Sequence, residues 1–60
     1  MTEYAKPLTS NYSNFRKGNL YIILNRKIID EIEYYELVND KKIKGLYPAY
    51  DFELIQDILK

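Results

Sequence analysis

The chain has no cysteine, no histidine and no tryptophan, and only two glycines and two prolines in its 60 residues. Without cysteine there is neither a disulfide nor a thiolate site. Without histidine the common zinc constellations are excluded, and a nucleophile–base pair would need Ser or Thr activated by Lys. Thr9, Ser10 and Ser13 lie in a turn-rich stretch with no nucleophile-elbow motif around them. Gly18 and Gly45 stand alone, so no glycine-rich loop cradles a phosphate. The longest uninterrupted apolar run is five residues, 20–24, against the ~20 that a membrane-crossing helix needs. The first residues lack the basic-then-apolar order of a signal peptide, so the expected location is cytoplasmic.

What is present is a folding composition: 47% apolar, 30% charged and seven tyrosines. A domain of this size buries only about 60% of the surface its unfolded chain exposes. Small folds without disulfide or metal usually lean on a partner chain, so a homo-oligomer, most simply a dimer, is expected. Ile, Lys, Asn and Tyr supply 27 of the 60 residues, and Lys outnumbers Arg seven to two. All four abundant types have AT-rich codons, which fits an AT-rich bacterium, its phage or a mobile element.

Taken in order, residues 1–18 read as an irregular arm. Pro7, Thr9-Ser10-Asn11, Ser13-Asn14 and Gly18-Asn19 are turn signals, and Tyr4, Leu8, Tyr12 and Phe15 would lay apolar groups on the core. Residues 19–60 read as the folded core of a single small domain. The run 20–24 predicts a strand, and Asn25-Arg26 a tight turn. Residues 27–38 fit either a helix, with Ile28, Ile32 and Tyr35 in a narrow stripe, or a second strand; the strand is expected, because Ile, Tyr and Val favour it. Twelve strand residues span about 40 Å, too long for so small a domain, so a bulge is expected near 30–33. Asn39-Asp40 predicts a turn, 41–47 a lysine-bearing edge strand, and Pro48 its end. Asp51 reads as an N-cap, with Phe52, Leu54, Ile55, Ile58 and Leu59 on one face of a helix over 51–60. The expected fold is thus α+β: a three-stranded antiparallel meander, a C-terminal amphipathic helix and an irregular N-terminal arm.

Charge alternates along the chain. Residues 1–29 carry five basic and one acidic side chain, residues 30–40 five acidic and none basic, and residues 41–50 three basic. Asp30, Glu31 and Glu33 lack the spacing of a calcium loop and read as a solvated acidic face, so no metal or cofactor is expected. Two carboxylates could in principle serve a hydrolase, but 60 residues leave little room for a cleft, and an enzyme is not expected.

The stretch Glu33-Tyr34-Tyr35-Glu36, with Tyr47 and Tyr50, is the candidate partner-binding surface. Adjacent strand residues point to opposite faces, so one of Tyr34 and Tyr35 must lie outside a small core, and Tyr is enriched at interfaces. The expected function is a non-enzymatic protein-interaction module. In this reading it is a phage or mobile-element protein that binds and inhibits a host protein, for instance one of anti-phage defence. The alternative is a small nucleic-acid-binding regulator using the basic clusters at 16–17, 26–27 and 41–44.

Overall fold

A computed structural model describes residues 2–56. Five antiparallel strands make up the described chain: β1 (Glu3–Pro7), β2 (Tyr21–Ile29), β3 (Ile32–Val38), β4 (Lys44–Pro48) and β5 (Phe52–Gln56). A three-residue 3-10 turn, Ala49–Asp51, joins the last two. Across the sheet the order is β4-β3-β2-β1-β5, so β4 and β5 are consecutive in the chain yet occupy opposite edges. In a flat sheet those edges would stand about 19 Å apart at roughly 4.8 Å per strand. Three 3-10 residues rise only about 6 Å. The sheet is therefore curled until its edges approach, and the rings of Tyr47 on β4 and Phe52 on β5 meet with centroids 6.4 Å apart.

β2 makes the bend. Its first residues pair with β1 (Tyr4 opposite Ile22, Ala5 opposite Tyr21). From Ile23 onward it pairs with β3, and the register slips by one residue between Ile23 and Asn25. A bulge where a strand passes from one sheet to the next is how closed β structures turn corners. The two half-sheets enclose Ala5, Phe15, Tyr21, Tyr35, Leu37 and Phe52.

Phe15 is contributed by no strand. It comes from the loop 8–20 and sits at the centre of the core, edge-to-face against Tyr21 and Tyr47 at 4.8 Å and Phe52 at 5.7 Å. Tyr12, from the same loop, stacks on Phe52 at 5.7 Å. Specific bonds hold the loop down. Leu8 N–H donates to the Asp51 carbonyl at 3.0 Å, the Tyr12 hydroxyl donates to Asp51 Oδ2 at 2.6 Å, and Asp40 N–H donates to the Asn14 carbonyl at 2.9 Å. The Tyr21 hydroxyl accepts from Arg16 N–H at 2.8 Å and donates to the Asp40 carboxylate.

These findings correct the expected α+β architecture. The N-terminal arm contains a strand, β1, and the predicted C-terminal helix is β5 over its described residues. Phe52 has φ −133° and ψ 153°, and β5 pairs with β1 at every position from Pro7–Phe52 to Glu3–Gln56. The spacing of Phe52, Leu54 and Ile55 suits either a helix or a strand. The free edge of β1 decides it, because a short helix has little stability of its own whereas the edge supplies a full ladder. Asp51, expected to cap the helix, instead accepts from Tyr12. Residues 57–60 of that predicted helix lie outside the described residues.

Two turn expectations change as well. Asn25 and Arg26 lie within β2, opposite Glu36 and Tyr35; the Asn25 signal is spent on the bulge, where its Oδ1 accepts from Arg26 N–H at 2.9 Å. Residues 27–38 are not one bulged strand but a hairpin folded in half. Asp30 (φ 51°) and Glu31 (φ 67°) both sit in the left-handed region, as a two-residue type I′ turn demands. At 39–43 the chain does turn. Asn39 Oδ1 accepts from Lys41 N–H at 2.8 Å and Ile43 N–H at 3.1 Å, which satisfies a buried amide. No helix among the described residues is long and apolar enough to cross a membrane.

Candidate protein-binding surface

The six residues singled out in the sequence divide between inside and outside. Opposite residues of an antiparallel pair share a face, so the registers assign each one. Tyr35 and Tyr47 face each other across β3 and β4 on the inner side. Tyr35 is buried and Tyr47 packs against the core. Tyr34 lies on the outer face between Lys27 and Pro48, half-buried, and Glu36 lies there between Asn25 and Leu46. Tyr50 projects from the 3-10 turn and is 71% exposed.

Glu33 shares the inner side with Tyr35 and closes one end of the barrel. Arg26 reaches from β2 to Glu33 Oε2 and to Glu3 Oε1, each at 3.3 Å. Gln56 Nε2 donates to Glu3 Oε2 at 3.1 Å. The network ties β1, β2, β3 and β5 together at the mouth through which Tyr35 would otherwise meet water. Burial pushes the Tyr35 hydroxyl pKa up, the Glu33 carboxylate pushes it further, and Arg26 opposes them.

Beyond that network the β2–β3 hairpin projects from the barrel. Ile28, opposite Glu33 on the inner side, has nothing beneath it and is 75% exposed. Ile29 and Ile32 face each other on the outer side and are also exposed. Between the tip and the 3-10 turn lies a cleft of about 430 Å³, bordered by Glu31, Ile32, Glu33, Tyr35, Ala49 and Tyr50. It brings together three of the six candidates, Glu33, Tyr35 and Tyr50, while Tyr34 and Glu36 face away from it. Sequence reasoning missed Ile28, Ile29 and Ile32. Their signal was a pair of apolar residues directly before an acidic dipeptide and one directly after it.

The fold also sorts the charges. Asp30 and Glu31 mark the hairpin tip. At the opposite end, the Tyr21 and Asp40 bonds bring the loop carrying Arg16 and Lys17 beside the turn carrying Lys41 and Lys42. The third basic pair is split, with Arg26 committed to its carboxylates and Lys27 outside. Among the described residues no three acidic side chains gather as a metal site. A second polar hollow of about 270 Å³ lies over Tyr12, Phe15 and Tyr47 beneath Asn11, Asn14 and Asn39. No buried side-chain polar atom among the described residues is left without a hydrogen-bond partner. Compared with known proteins, the chain matches no family model, no curated protein and no solved structure.

Proposed function

We propose that this chain is a non-enzymatic protein-binding module that presents the hairpin tip and the adjoining cleft to another protein in the cytoplasm. One observation carries the reading. Among the described residues six apolar side chains are buried in the core, whereas eleven large ones are exposed. Single exposed apolar residues need no explanation, but clustered ones mark interfaces. Here three of the eleven, Ile28, Ile29 and Ile32, cluster at the tip of a projecting hairpin, with Tyr50 across the cleft as an aromatic anchor of the kind that dominates binding energy. Glu31 and Glu33 at the rim favour a partner segment carrying Lys or Arg. Inhibition of a host protein by a phage or mobile-element product is the biological setting we propose, supported by small size and AT-rich coding bias.

The test is capture of partners from host lysate on tagged protein, with and without nuclease, repeated with Ile28→Asp and Tyr50→Ala. Recovery of one stoichiometric protein that both variants lose, with unchanged circular dichroism, supports the module. Equal recovery by both variants moves the interface elsewhere. A second reading, nucleic-acid binding, is favoured only by the juxtaposition of Arg16, Lys17, Lys41 and Lys42. It requires a mobility shift at low salt that weakens steeply as salt rises.

A further inference from the structure

The outer face of β2 and β3, which points away from the core and meets the cleft only at Ile32, carries its own pattern. Read from the hairpin tip to the far end, the register places Ile29 with Ile32, then Lys27 with Tyr34, then Asn25 with Glu36, then Val38 beside Lys44. Beyond the bulge Ile22 follows, flanked by Tyr4 and in turn by Ile55. The stripe is apolar at both ends and polar at its middle. At the far end a hollow of about 390 Å³ is bordered by Tyr4, Leu20, Ile22 and Val38, with Asp40 and Lys42 at its rim. Leu20 and Ile22 are each nearly half exposed.

The charges beside the two apolar ends are opposite. Asp30 and Glu31 flank the isoleucines at the tip, and Lys42, next to Lys41 in the chain, stands at the rim of the hollow. The one acid at the hollow's rim, Asp40, is already engaged by the Tyr21 hydroxyl through both carboxylate oxygens. Neither Asp30 nor Glu31, and neither Lys41 nor Lys42, has an ion-pair partner among the described residues. The two ends are separated by the length of β3, about 20 Å.

We infer that this face is covered by the same face of a second copy, in an antiparallel two-fold dimer. A two-fold axis across the middle of the stripe lays each copy's tip on the other's hollow. Ile29 and Ile32 then meet Leu20, Ile22 and Val38, and each acidic pair meets a lysine pair, twice per dimer. Such an interface is self-complementary and closes, so association stops at two. Parallel stacking would place acid on acid. The inference rests on the exposed apolar surface being interface. It shares the hairpin tip, with Glu31 and Ile32, with the surface proposed for the partner. It uses neither Ile28 nor Tyr50, so variants at those two residues and at the far-end lysines let the two fail separately.

The experiment is sedimentation velocity on the full chain at ionic strengths of about 0.01 M and 1 M, between which the Debye length falls from roughly 30 Å to 3 Å. The wild type is expected to be a dimer whose dissociation constant rises at least about tenfold over that range. Two charge variants sharpen the test, each chosen to respect the positive-φ positions. Asp30→Asn with Glu31→Lys makes the tip basic, and Lys41→Glu with Lys42→Asn makes the far end acidic. Each double variant alone is expected to be monomeric, and an equimolar mixture to recover a 1:1 dimer, because both contacts are then complementary. Ile28→Asp, on the other side of the hairpin, is expected to dimerise like the wild type. A wild type that stays monomeric overturns the inference and leaves these residues to a foreign partner. So does a mixture that fails to pair, a dimer that either charge variant leaves intact, or a series that grows beyond two copies. Partner capture by the far-end variant, Lys41→Glu with Lys42→Asn, which leaves the tip and cleft unaltered, reports on the proposed function independently.

Discussion

The loop 8–20 and the β2–β3 hairpin invert the usual relation between regular structure and burial. The loop has no strand or helix, yet it supplies Phe15, which is 4% exposed, and fastens itself with side-chain and backbone bonds to Asp51, Asp40 and Tyr21. The hairpin has a complete ladder, yet Ile28 on it is 75% exposed. Backbone pairing satisfies the peptide groups of a segment, and it does not decide whether the side chains reach a core. In this molecule five strands are too few to fill their own interior, so the irregular segment acts as the plug and the longest regular element extends past it. Stability resides in the loop and exposed apolar surface in the hairpin.

Truncating one residue in each region gives the largest test of that contrast. Phe15→Ala removes the ring that four other aromatic rings pack against and is expected to cost about 3–5 kcal/mol. A chain of this size has only about 3–9 kcal/mol in total, so a large unfolded fraction should appear at room temperature. Ile28→Ala is expected to change stability by less than about 0.5 kcal/mol. Urea melts of both variants check the pair, and comparable costs would break the division.

The seat of the plug is tested next, at Gly45. It faces inward opposite Leu37 on β3, and the Tyr47 ring lies over it. A Cβ at Gly45 would stand 3.1 Å from the Tyr47 hydroxyl and 3.2 Å from Cε1. That ring is hemmed in by Tyr12 and Phe15 with centroids at 5.5 and 4.8 Å, so it cannot swing away freely. Gly45→Ala is expected to destabilise by about 1–3 kcal/mol through overpacking. A neutral result in the same melts would mean that the loop aromatics give way readily.

How much of this contrast the sequence reveals depends on which signals were local. The turn at 39–43 was legible because Asn39 builds it with its own side chain and backbone. A strand beginning near 20–24 was legible from residue type, although it runs on to Ile29 and only Tyr21 of that stretch is buried. Period two alone shows that Tyr34 and Tyr35 must part to opposite faces. Which of them goes inside was not legible, because that depends on β4 placing Tyr47 beside Tyr35. β1 was hidden by Pro7 and by its mixed Glu-Tyr-Ala-Lys content, and with β1 unseen, β5 had no visible partner and read as a helix. The hairpin reversal was hidden because Asp30-Glu31 lacks the glycine that usually marks a type I′ turn. The cleft residues were half visible: Glu33, Tyr35 and Tyr50 stood out by type, whereas Ile32 and Ala49 did not.

The loop's tether to the 3-10 turn gives a smaller effect with a pH signature. The hydrogen bond to the Asp51 carboxylate, with burial adding to it, pushes the Tyr12 pKa up from its ordinary 10 to about 12. The folded state therefore holds this proton more tightly than the unfolded chain. Its contribution is complete below pH 10 and is lost as pH rises from 10 to 12. Tyr12→Phe keeps the ring stack and is expected to cost about 1 kcal/mol at neutral pH. The measurement is the difference between wild type and variant in urea melts, which should shrink toward zero as pH climbs through that window. A difference that persists undiminished at the top of the window would place the value of Tyr12 in its packing alone.

The smallest expected effect lies on the hairpin side, and its sign is opposite. Glu31 holds φ 67°, a conformation that costs a residue bearing a Cβ roughly 1–2 kcal/mol relative to its preferred regions. Glycine adopts it without strain but loses more freedom on folding. The net for Glu31→Gly is a gain of about 0.5–1 kcal/mol. Asp30-Gly is also the preferred pairing for this turn, and Glu31 has no ion-pair partner among the described residues to lose. Thermal melts should show the variant more stable than the wild type. If stabilising the tip raises the stability of the whole chain, the hairpin folds as one unit with the plugged barrel despite its exposure. If the melting point stays fixed while amide exchange in β2 and β3 slows, the hairpin opens on its own, and the exposed isoleucines are free to rearrange on a partner without disturbing the aromatic core.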